Sequence, residues 1–95
     1  MAKYLIKANY TAEGVKGLLK EGGSSRRATV AQMVEGLDGS LEAFHYAFGE
    51  CDALLIADIS DQVTAAAISL AVNTSGAVNL STTLLLASVA IDQAV

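Results

Sequence analysis

Residues 53–57 read Ala-Leu-Leu-Ile-Ala, apolar on both parities. Side chains of a strand alternate between two faces, so a strand of this composition has to be covered on both. The segment 77–86 carries Val78, Leu80, Thr82, Leu84 and Leu86 on one parity and is read as a second strand of this kind. Yet the chain has 95 residues, 53% of them hydrophobic. A domain of this size buries only about 60–65% of its unfolded surface. One chain cannot supply cover for both faces of such a sheet and also for the helices that flank it. A second copy is the expected cover, so the sequence points to a homo-oligomer, a dimer or a multiple of one.

The rest of the chain falls into recognisable segments. Tyr4, Ile6, Ala8 and Tyr10 alternate with Lys3, Leu5, Lys7 and Asn9, which predicts a half-buried strand over 2–10. Thr11 is placed as the N-cap of a short helix carrying Val15, Leu18 and Leu19, and Gly22-Gly23 stops it. Ser24 or Ser25 is the expected cap of a second helix, with Val30, Met33, Val34 and Leu37 on one face. Residues 41–48 read as an aromatic-rich strand, and Gly49-Glu50-Cys51-Asp52 turns it into the strand at 53–57 as an antiparallel hairpin. Ser60 is the expected cap of a further helix, with Val63, Ala66, Ala67, Leu70 and Ala71 inward and Ile68 and Val72 widening the apolar arc. The strand at 77–86 follows, and the apolar tail 88–95 reads as helical.

Strand, broken helix, strand, strand, helix, strand is the split βαβ order of a ferredoxin-like fold. The fold class is therefore α+β: a four-stranded antiparallel sheet with helices on one face, in a single domain over 1–95. The uncovered sheet face is the expected subunit interface. Two such sheets packed face to face make a dimeric α/β barrel.

Charge narrows the partners. The net charge is −4, which disfavours nucleic acid, since phosphate binding needs a positive surface. All six Lys and Arg residues fall within residues 1–27, and eight of the ten acids lie beyond them. No apolar run approaches the roughly 20 residues of a membrane helix, so no membrane association is expected. The N-terminal residues lack the apolar core of a signal peptide. The single cysteine, Cys51, fits a reducing compartment, and the cytoplasm is the expected location.

Several segments resemble the GYD-domain family. They are Tyr4-Leu5-Ile6-Lys7-Ala8-Asn9-Tyr10-Thr11, then Gly14 to Gly23 followed by Arg26-Arg27, then Phe48-Gly49-Glu50-Cys51-Asp52 and Ser75-Gly76-Ala77-Val78. The resemblance runs over nearly the whole chain. It implies a place in the dimeric α/β-barrel group, whose members include cofactor-free monooxygenases, isomerases, haem enzymes and small-molecule sensors. The family takes its name from a Gly-Tyr-Asp motif. Gly49 and Asp52 match that motif, and Cys51 stands at the tyrosine position.

Six residues are candidates for a ligand site. His45, between Ala43 and Ala47, is either a general base or ligand contact in a cavity, or a half-buried histidine bonded to a neighbour. Lys7 and Asn9 share one parity of the first strand and form either a pocket wall or a solvated or interfacial face. Asp52 either caps its turn or pairs with a cation such as Lys7, Arg26 or Arg27. Arg26 and Arg27 fall in the first turn of the second helix, where the dipole disfavours positive charge by about 0.3–1 kcal/mol. A carboxylate, with Asp52 and Asp58 as candidates, or a bound small anion should offset that cost. No second His or Cys sits at ligand spacing, so neither a metal site nor a cofactor is expected. Two functions follow. One is a non-catalytic small-molecule-binding or assembly module. The other is a cofactor-independent oxygenase- or isomerase-like enzyme with a pocket near His45.

Overall fold

The computed structural model describes residues 2–95. In chain order the elements are β1 (Ala2–Tyr10), α1 (Ala12–Glu21), α2 (Gly23–Glu35), β2 (Ser40–Tyr46), β3 (Ala53–Ile59), α3 (Gln62–Asn73), β4 (Val78–Leu84) and α4 (Ser88–Ala94). The four strands form one antiparallel sheet in the order β2-β3-β1-β4, the ferredoxin-like topology expected from the element order.

β1 and β3 are the central strands. Their helix-facing side chains, Tyr4, Ile6 and Ala8 with Ala53, Leu55, Ala57 and Ile59, are all buried. Val34 of α2 and Ala65 and Ile68 of α3 close over them to complete the core. α2 leans on β2 and α3 leans on β4, so the two helices cover opposite sides of the same sheet face.

The joints are made by short polar contacts. Thr11 caps α1 by accepting the Gly14 amide at 3.3 Å, while its own hydroxyl donates to Gly76 O at 2.7 Å. Its amide donates to Ala77 O at 3.0 Å, so the β1–α1 and α3–β4 turns are tied together. A Cβ on Gly14 would stand 2.0 Å from Ala77 O, so only glycine lets α1 approach this closely.

Four local expectations are corrected. Gly22, at φ 84, is both the C-cap of α1 and the N-cap of α2, so neither Ser24 nor Ser25 caps the second helix; both lie inside its first turn. The left-handed φ that breaks the helix also restarts it within one residue. Asp61, not Ser60, caps α3, because its carboxylate reaches the Thr64 amide at 2.7 Å. α3 turns Ala65, Ile68 and Val72 inward and leaves Val63 and Leu70 80% and 69% exposed, so the buried face is centred on the margin of the expected arc and not on the Val63–Leu70 stripe. It is apolar almost all round, so periodicity alone does not select a face. β2 ends at Tyr46 rather than at residue 48, since Phe48 holds φ 56, outside any strand conformation.

Two measurements check this core. Ile59 is 1% exposed beneath the helices. Ile59→Ala is expected to cost about 2–5 kcal/mol, read as a lower urea midpoint at an unchanged slope. The Thr64 amide holds the Asp61 carboxyl below the usual carboxylate range. A carboxyl lowered on folding stabilises the protein above its unfolded pKa, and that contribution is lost as pH falls through the folded value. Asp61→Ala should therefore lower Tm at neutral pH. The gap to wild type should close in acid, measured by melting across a pH series.

Candidate functional site

The space between α2 and α3 is open down to the sheet and forms a cavity of about 480 Å³. Its floor is Ile6 and Ala8 of β1 with Ala53 and Leu55 of β3, and its walls come from Val30, Met33, Ala71 and Val72. The cause lies in the register of the central strands. Tyr4 pairs with Ala57 and Ile6 with Leu55, so each row carries at least one large side chain. Ala8 pairs with Ala53, and that row is small on both strands. The helices bridge this low ground instead of filling it. A volume in this range is typical of sites for small organic molecules, which run to about 300–1,000 Å³.

Polar groups gather at the end of the cavity nearest the α1–α2 joint. Arg26 and Tyr10 both line it. Arg26 Nη1 lies 3.4 Å from Glu21 Oε2, the last residue of α1. Tyr46 donates its hydroxyl to Gly23 O at 3.1 Å, which fixes the start of α2 over β2. Burial, and then the adjacent Tyr46, push the Tyr10 phenol above its usual range, so it stays protonated at neutral pH. Phe48 stacks on Tyr46 with centroids 6.1 Å apart and planes 9° apart. Its left-handed backbone costs a non-glycine residue roughly 1–2 kcal/mol, a strain more common near functional surfaces than elsewhere.

The six sequence candidates divide between the two faces of the sheet. Arg26 alone lines the cavity. Lys7 and His45 lie on the opposite, open face, each in register with Leu54 from its own side, with that strand between them. Asn9 is on the same face, opposite Asn79 of β4. Asp52 accepts the Tyr10 amide at 2.8 Å and donates its own amide to Ala8 O at 2.8 Å, so it closes the turn and ties β3 to the end of β1. Among the described residues it forms no ion pair, and neither does Asp58 with either arginine. The carboxylate beside Arg26 is Glu21, supplied by the preceding helix because Gly22 folds α1 back toward α2. Arg27 is exposed and forms no ion pair among the described residues.

The open face has its own pattern. Leu5, Leu54, Ile56 and Ala43 form an apolar centre. At one edge Lys3 and Glu42 meet at 3.1 Å. Asp58 stands opposite Lys3 in the ladder, with a buried Oδ1 that has no hydrogen-bond partner among the described residues.

A family model described as GYD domain matches residues 4–95. The chain belongs to the GYD-domain family. No curated protein matches it, and no solved structure matches it. In this GYD domain Gly49 to Asp52 lie in the β2–β3 turn. Cys51 is buried there, and the Asp52 carboxylate acts on the backbone rather than toward the cavity. Among the described residues no cluster of three or more His, Cys, Asp or Glu could hold a metal ion, and no helix is long and apolar enough to cross a membrane.

Sequence reasoning missed the cavity and the place of Tyr10 and Tyr46 beside it. The signal was present in the alanines at helix-facing positions of two central strands. Asp52→Ala should leave the Tyr10 amide unpaired and cost about 1–3 kcal/mol, with Asp52→Asn recovering part of it in the same denaturation assay.

Proposed function

We propose that this GYD domain is a non-catalytic small-molecule-binding module that works as a homodimer, its ligand held between α2 and α3 and its open sheet face forming the subunit interface. The observation that carries the reading is the apolar cavity of about 480 Å³ inside a 95-residue domain. A chain this small has little core to spare, and an unfilled space of that size costs dispersion contacts unless something occupies it. The alternative, a cofactor-independent oxygenase or isomerase, needs a reactive side chain facing the ligand. His45 lies on the other side of the sheet, which favours the binding module.

The dimer is supported by the open face. Leu5, Leu54 and Ile56 are only half-buried within one chain, in an apolar patch at the centre of a polar rim. Two copies of such a face pack as an aligned sheet sandwich. The cytoplasm is the proposed compartment, supported by the one free cysteine.

Native mass spectrometry of freshly purified protein, with sedimentation at micromolar concentration, tests both halves. The expected result is a dimer, or a multiple of one, with an added small-molecule mass. Ile56→Glu should shift the species to monomer with its fold intact by circular dichroism. A wild-type monomer would refute the assembly.

A further inference from the structure

We infer that the ligand of the α2–α3 cavity is an amphipathic monoanion: an apolar body lying over the Ala8–Ala53 floor, with one anionic head met by the Arg26 guanidinium. This rests on the reading of the cavity as a ligand site and names the chemical class that the site takes.

The lining decides the body. Beyond Arg26 and Tyr10, the polar side chains on it are Thr29 and Ser75, and both hydroxyls donate to helix carbonyls, Ser25 O at 3.1 Å and Val72 O at 2.7 Å. A ligand with polar groups along its length would bury them without donors to meet them. The interior therefore accepts carbon surface and little else.

Charge decides the head. Among the described residues on the lining Arg26 is the one that carries charge, and its partner Glu21 stands outside the lining, so a cation inside would meet like charge with no carboxylate facing it. Two anionic groups would need a second cation, which the lining lacks. Arg26 is also underused. A guanidinium carries five N–H donors, and this one makes a single long contact, 3.4 Å to Glu21, on a quarter-exposed side chain. It can keep Glu21 and still present a fork to a head group. Its position points the same way. Arg26 sits in the first turn of α2, where the helix end attracts anions. Tyr10 lines the same cavity as Arg26 and is protonated at neutral pH, so it gives the head a neutral neighbour rather than a competing anion.

The test uses two fluorescent probes of matched shape. One is 1-anilinonaphthalene-8-sulfonate, a monoanion; the other is N-phenyl-1-naphthylamine, its uncharged counterpart. Each is titrated into wild type, Arg26→Gln, Arg26→Lys and Ala71→Trp, the last chosen to fill the cavity from α3. Circular dichroism melts confirm that each variant is folded. Both probes should bind wild type saturably and be lost in Ala71→Trp. In Arg26→Gln the anionic probe alone should weaken, by about 10- to 100-fold, and Arg26→Lys should recover most of that loss. Equal anionic affinity in wild type and Arg26→Gln, with both probes still blocked by Ala71→Trp, would overturn the ligand class and leave the cavity standing as a site. Failure of the anionic probe while the uncharged probe binds would overturn the ligand class alone, and failure of both probes to bind wild type would overturn both readings together.

Discussion

The pairing of β1 with β3 sets everything above the sheet. Along the helix-facing side, Ala2 meets Ile59, Tyr4 meets Ala57, Ile6 meets Leu55 and Ala8 meets Ala53. At one end a large residue opposes a small one, so the surface is level and the helices settle on it. At the other end both residues are alanine, and the surface drops. Packing density in protein interiors leaves few voids larger than a water molecule. A helix laid across the drop either sinks or spans it. Here α2 is held up by Tyr46, whose hydroxyl carries Gly23 O, and a Cβ on Gly23 would already touch the Tyr46 ring at 3.1 Å. α3 is held at its far side by Ser69, which bonds Thr82 of β4 at 2.8 Å. The cavity is what remains between two supported helices over two alanines.

Much of the fold was legible because its signals were redundant. β1 alternates at every position but Leu5, Thr11 caps the helix that follows, and two glycines mark the break after it. Each feature agrees with the next, and together they leave one topology. The site was less legible, for a physical reason in each case. α3 is apolar on nearly every side, so its inward phase is set by contacts with β4 rather than by period. Ser24 and Ser25 look like caps, yet Gly22 supplies the turn geometry before either is reached. Asp52 was a candidate for charge pairing, but the nearest unsatisfied partner in its turn is the Tyr10 amide, and a backbone donor is always there to be taken. A cavity is harder still. It is made of side chains that are absent, and alanine in a strand carries no sign of what lies above it until the register is known.

The two faces of the sheet divide the chemistry of the chain. Every ionisable group on β1 and β3 except Tyr4 and Tyr10 points to the open face, where Lys3, Lys7 and Asp58 surround an apolar centre. The covered face carries the Arg26 guanidinium, with the Tyr10 and Tyr46 phenols toward the α1–α2 joint and the Tyr4 phenol toward the other end. Among the described residues the basic N-terminal segment meets the acidic remainder in one ion pair, Lys3 with Glu42, while Arg26 pairs with Glu21 and Lys16 with Glu13 from within the basic segment itself.

The strand order has a consequence for how the chain is made. β1 is central in the sheet, and neither of its neighbours is local: Tyr4 meets Ala57 on one side and Leu84 on the other. Folding rates fall as contacts become more distant in sequence, because loops must close before the pairing rewards them. On the ribosome, at roughly 5–20 residues per second, the first strand stands without its β4 partner for several seconds. During that time only the β2–β3 hairpin and the helices can form from local contacts. An alternating strand with Lys3, Lys7 and Asn9 on one parity is poorly suited to pairing with copies of itself, since like charges would face each other across the new ladder. The two lysines of β1 therefore keep the nascent strand single until β4 arrives to claim its free edge.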